Sequence, residues 1–287
     1  MRLVASSLLV ALALAGPRAT APSQGRPGPA GSFGEDPAWD DGKAELCVYD
    51  AEEIVEGEKR RFEATSIVVA ELFDPTTMVK KDDFELSFVP VLKCNWFLSV
   101  PTGVYRYQQM ASLFLRRSDL LAMKVAFSSQ EWCGTTFAEW RRDQPGFHVH
   151  SYFDGEGDQT HPLEHLAENE LFFEQVPLWV RGHRPADPRT EKIRVLGKRI
   201  ATSKCPPPTL QTGTIAFDGV KEDGGAKRIE VRLTLEGRTD LMVLAPEFPY
   251  TMTEWRRADG TTWKLKKTTR LDYWNYSKNE FANLLTK

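Results

Sequence analysis

Between Glu45 and Leu271 the chain is written in short runs of β-prone residues, each closed by a turn signal, and this punctuation constrains the fold more than any other feature. In the first half the runs Glu45 to Val55, Lys59 to Phe73, Phe88 to Val100, Val104 to Arg116, Leu121 to Ser129, Gly134 to Arg141 and Phe147 to Phe153 read as strands. Glu56-Gly57 predicts a hairpin between the first two, and Asp143 to Gly146 another between the last two. Asp74-Pro75 opens an irregular stretch to Asp83, and Asp154 to Asp158 is a strong turn signal. In the second half the strand readings are Ile193 to Thr202, Thr209 to Phe217, Ile229 to Leu235, Asp240 to Leu244, Tyr250 to Arg257 and Thr262 to Leu271, with Asp259-Gly260 between the last two. Between the halves, Pro162 to Gln175 predicts an amphipathic helix, opened by Pro162 and ended by Pro177. The expected fold is mainly β: a curved antiparallel sheet, open barrel or sandwich, with one central helix packed into or across it.

The ends of the sequence carry an address. Arg2 precedes an apolar run, Leu3 to Ala15, that is too short to span a bilayer but suits the core of a signal peptide cleaved after Ala15. Residues 16–43 are rich in Pro, Gly, Ala and Ser and read as a disordered linker. Residues 44–287 then form the β-rich domain, with room for two coupled sheets joined near 160–190. No later segment is apolar enough to cross a membrane, so the expectation is a periplasmic or secreted protein with no transmembrane segment in the mature chain. The balance of 37 Lys+Arg against 40 Asp+Glu argues against a nucleic-acid partner held by a positive excess. The four cysteines, Cys47, Cys94, Cys133 and Cys205, contain no C-x-x-C pair, and disulfides and free buried thiols both remain open.

Two stretches, Ser128 to Gly134 (SSQEWCG) and Tyr152 to Asp158 (YFDGEGD), resemble segments of uncharacterised exported bacterial proteins. The run from Tyr250 through Trp255 and Gly260 to Tyr273-Trp274 resembles the closing hairpin of open-barrel envelope proteins of the DUF3108 type and, more remotely, the lipoprotein-carrier fold. The resemblance implies a curved antiparallel sheet around one helix, with an apolar interior in the carriers. The chain departs from a lipoprotein carrier in its length and in its extra Trp and Cys content.

The histidines form the sharpest constellation. All five, His148, His150, His161, His165 and His183, fall within a short span. His148 and His150 share a face on a strand, and imidazoles with Asp154 nearby suit a zinc ion, so His148, His150, His165 and Asp154 are the candidate metal ligands. The alternative is solvated or hydrogen-bonded histidine. Cys133 lies upstream of the histidines, as a thiol nucleophile would, yet no family signature surrounds it, and Trp132 suggests a buried packing position. Trp255, Trp263, Tyr273 and Trp274 gather near the C-terminus as candidate ligand-binding aromatics, with sheet core as the competing reading. Arg256, Arg257, Lys264, Lys266 and Lys267 lie beside them, as a solvated strand face or a surface for an anionic glycan or head group. The leading expectation is a non-enzymatic envelope or secreted binding protein, without cofactor, for an apolar or amphipathic ligand or an envelope protein partner. The alternative is a metal-dependent hydrolase built on the span from His148 to His183.

Overall fold

The computed structural model describes residues 31–153, 157–198, 204–282 and 284. Sixteen strands follow in chain order: β1 (Ala44–Val55), β2 (Glu58–Asp74), β3 (Val79–Lys81), β4 (Val89–Pro101), β5 (Arg106–Arg116), β6 (Ala122–Glu131), β7 (Gly134–Arg141), β8 (Gln144–Ser151), β9 (Asp158–His161), β10 (Glu170–Phe172), β11 (Arg189–Leu196), β12 (Leu210–Asp223), β13 (Ala226–Leu235), β14 (Arg238–Leu244), β15 (Met252–Arg256) and β16 (Thr262–Leu271). They form one curved sheet that does not close. It runs β10-β11-β12-β13-β14-β15-β16-β1-β2-β4-β5-β6-β7-β8-β9, with β3 paired to β2 beside the path. All pairs are antiparallel except β10 with β11. Two meanders, one from each half, are thus joined edge to edge where β1 meets β16.

Period-two alternation explains which face is buried. In β5, Tyr107, Gln109, Ala111, Leu113 and Leu115 are buried while their neighbours are not. Hairpins follow the turn residues: Glu56 and Gly57 both take positive φ (53° and 78°) and let Val55 pair with Glu58, the two-residue geometry that matches strand twist. The turn expected at Asp143 to Gly146 lies two residues earlier. Arg141 pairs with Gln144, and Gly146 already belongs to β8.

The central helix is displaced from its expected place. Residues 162–167 are irregular and 168–169 form a turn, Phe173–Gln175 forms a single 3-10 turn, and the helix α2 covers Val176–Gly182, after a four-residue helical turn, α1, at Gly31–Gly34. Pro177 starts α2 rather than ending it, because proline's missing N–H costs nothing in the first helical turn. The expected amphipathic face is also absent. Every residue of α2 is buried, as an all-round core helix requires. Gly182 permits the close approach, since a Cβ there would lie 2.3 Å from a methyl of Leu120.

Two contacts show how 162–169 bridges the sheet edges. The Gly146 amide donates to the Leu163 carbonyl (2.8 Å), and the Arg194 amide donates to the Asn169 carbonyl (2.8 Å). A sheet this wide is too large for its own side chains to fill, and α2 with its leading turn fills it. A single apolar cluster therefore contains both meanders and α2.

The segment read as a linker is folded in its described part. Phe33 is 4% and Trp39 1% exposed, and the Trp39 indole donates to the Phe33 carbonyl (2.9 Å). Arg117 pairs with Asp40 and Arg270 with Asp41, each at 2.6 Å. Two aromatics amid proline and glycine were enough to anchor a segment whose composition alone suggested none. The expected signal peptide lies outside the described residues. Among the described residues no helix is long and apolar enough to cross a membrane.

Candidate functional site

The inward face of β1 carries Glu45, Cys47, Tyr49, Ala51 and Glu53 in alternation. Two acids on a face otherwise built for the core each need a partner. Glu45 finds one on α2: the Arg181 guanidinium lies 2.9 Å away, and both side chains are almost wholly buried. Arg181 also donates to the Pro249 carbonyl (2.9 Å) and lies over the Phe33 ring.

Glu53 sits at the other end of the same strand, in a cleft. One carboxylate oxygen accepts from the Trp263 indole (3.0 Å) and the other from Lys198 (2.7 Å). Trp263 faces Trp255 across the β15–β16 pair, and Trp96 of β4 meets Trp263 edge-on at 5.4 Å between ring centres. Phe173 stacks on Trp255 at 5.1 Å. The Trp96 indole donates to the Glu174 carbonyl (3.0 Å), which fixes the 3-10 turn against the sheet. These aromatics, with Glu53, Lys198 and Arg257, enclose a void of about 30 Å³, room for a few waters or a small ligand group. The Trp255 side chain is buried, and its indole N–H has no hydrogen-bond partner among the described residues.

Phe173, Lys198 and Arg257 are shared with a larger, polar cavity of about 520 Å³, walled by β13, β14 and the β15–β16 turn. Arg257 lies over the Phe173 ring at 4.7 Å and pairs with Asp259 (2.9 Å) and Asp240 (3.5 Å). Burial pushes the Asp240 carboxyl above its ordinary range, against the pull of the Ala258 amide and Arg257. Asp259 is also raised by burial, but the Arg257 charge and the Thr261 amide outweigh that and hold it low. The cleft thus has a compact aromatic inner end and a charged outer chamber with both signs.

Of the aromatics expected to bind a ligand, Trp255 and Trp263 meet in this cleft. Tyr273 and Trp274 lie elsewhere, beside a separate groove of about 320 Å³ with Trp39 and Glu71. Glu53, Trp96, Phe173, Glu174 and Lys198 were not anticipated as site residues. The alternation in β1 and in β4 (Leu92, Cys94, Trp96, Leu98) is the signal that places Glu53 and Trp96 inward.

The histidines are spread out. His148 and His150 share the exposed face of β8, where the His148 ring meets the Thr160 hydroxyl (3.0 Å) and His150 pairs with Asp158. His165 is exposed in the crossing segment. His183 is buried behind α2, its ring stacked 3.5 Å from that of Trp179, and burial lowers its pKa to about 4. Among the described residues no three His, Cys, Asp or Glu side chains gather as metal ligands, and Asp154 lies outside the described residues.

All four cysteines are free thiols. Cys133 is exposed, and the neighbouring Glu131 charge pushes its pKa up, away from an activated nucleophile. Trp132, expected to be buried, is 78% exposed at the β6–β7 turn, where its ring meets that of Tyr105 at 6.1 Å.

Comparison of the chain with family models, with curated proteins and with solved structures gave no match.

Proposed function

We propose that the chain is an exported, non-enzymatic binding protein that holds a compact amphipathic ligand in the Trp96–Trp255–Trp263 cleft. Export is supported by the apolar run Leu3 to Ala15 behind Arg2. Binding is supported by one observation above all. Buried tryptophans and Phe173 line a void that adjoins a chamber large enough for a small molecule, and one of them, Trp255, has an indole N–H with no partner among the described residues. An aromatic wall with a few convergent polar groups is the usual composition of a small-molecule site. The dimensions restrict the ligand. A void of about 30 Å³ excludes a long acyl chain but admits a small apolar group, whose polar remainder would lie against Lys198 and Arg257.

Titration with anilinonaphthalene sulfonate, an amphipathic probe that fluoresces in apolar sites and whose bulk would lie in the larger chamber with one ring edge against the tryptophans, tests this reading. The expected result is saturable binding at one site, weakened at least about tenfold, or about 1.4 kcal/mol, in Trp255→Leu. Lys198→Met at the mouth should also change affinity without touching the aromatic wall. Unsaturable binding, or affinity unchanged from the parent chain in both variants, overturns the reading.

A further inference from the structure

We propose that the groove beside Trp274 is a second binding site, for an acidic saccharide. It lies on the opposite face of the sheet from the cleft. Trp96 of β4 points inward, and Lys93, three residues earlier on the same strand, points outward, as the pleat demands. The groove, about 320 Å³, is within the range of small-molecule sites, and its walls come from the N-terminal segment, β2, β3, β4 and the C-terminal turn.

Three features of the groove select the ligand. The first is Glu71, whose side chain is only 9% exposed. One of its oxygens accepts from Lys93 (2.6 Å), while the other is buried with no hydrogen-bond partner among the described residues. A buried acceptor left unmade is costly, so the groove is complementary to a ligand that donates, such as a hydroxyl. Phosphate, carrying acceptors almost alone, would face that oxygen unfavourably.

The second feature is the aromatic pair at the rim. Trp274 is 49% exposed and is held edge-on against Tyr273 at 5.3 Å. An open indole face is what the C–H face of a sugar ring stacks on. The third feature is charge. Lys43, Lys80 and Lys93 line the groove with the carboxylate of Glu71; Lys80 also pairs with Asp82 at 2.8 Å, and Asp41, within electrostatic reach of Lys43, is itself paired with Arg270. That leaves a local positive excess suited to a carboxylate on the same ligand. Hydroxyls, a stacking face and one carboxylate together describe a uronic-acid sugar.

The test measures binding of a galacturonate disaccharide, the matching neutral galactose disaccharide and inorganic phosphate to the full chain by calorimetry. The expected result is that the uronate binds at least tenfold tighter than the neutral sugar. Trp274→Ala should weaken uronate binding at least tenfold and Lys43→Gln severalfold. Because Trp274 and Lys43 are exposed, both variants should fold, and both should bind the anilinonaphthalene probe in the cleft as before. No uronate binding, uronate binding unchanged in Trp274→Ala, or displacement of the uronate by equimolar phosphate overturns the proposal.

Discussion

Glu45 and Glu53 are the same residue type on the same face of the same strand, yet one is sealed and the other sits at a mouth. Glu45 is closed over by α2, and its partner Arg181 is 6% exposed. Glu53 is paired to Lys198, which is 21% exposed and borders the void. The difference teaches where a buried carboxylate serves the fold and where it serves a site. A guanidinium on a buried helix held by two acceptors cannot be exchanged, whereas a single flexible ammonium at a cleft mouth can be.

The largest expected effect breaks the sealed end. Arg181→Met leaves Glu45 charged and buried without its partner, so urea unfolding should show a loss of about 3–5 kcal/mol. The double variant Glu45→Leu with Arg181→Met should recover most of that loss. If the single variant unfolds like the parent chain, the pair does not anchor α2.

A pH experiment comes next. Burial pushes the pKa of His183, just past α2, from its ordinary 6.5 down to about 4. Its folded pKa is lowered, so the unfolded chain binds the extra proton, and stability falls as pH drops from about 6.5 to 4. Full development of that shift amounts to roughly 3 kcal/mol. His183→Phe, which keeps a ring on Trp179, should remove this part of the acid sensitivity. An unchanged difference between pH 7 and pH 4.5 in that variant would place the sensitivity elsewhere.

The smallest effect belongs to the open end. Lys198→Met should cost only about 1 kcal/mol, because Glu53 keeps the Trp263 indole and the adjoining void admits water to the freed oxygen. A loss as large as that of Arg181→Met would erase the contrast between the two ends of β1.

Much of the fold was legible because alternation and turn chemistry act locally. The strands from Glu45 to Val55 and from Thr262 to Leu271, and the Glu56-Gly57 hairpin, fall where the residues put them. The helix was misplaced because Pro162 and Pro177 are equally good first-turn residues, and only the irregular crossing from β9 to β10 decides between them. The site was half legible. Trp255 and Trp263 are neighbours across one hairpin, but Trp96, Phe173 and Lys198 reach them only through pairings distant in sequence. Tyr273 and Trp274 follow the same hairpin in sequence and still end on the outer side, beyond the reach of a reading by proximity.

The most direct measurement of the cleft's role uses fluorine. The chain has eight tryptophans, so incorporation of 5-fluorotryptophan gives a resolved fluorine NMR reporter at each, assigned by single Trp→Phe variants. On addition of the anilinonaphthalene probe, the resonances of Trp96, Trp255 and Trp263 should shift together and saturate together, while Trp132 and Trp274 on the exterior stay in place. Shifts confined to Trp132 or Trp274, with the three cleft signals unmoved, would contradict the cleft as the binding site.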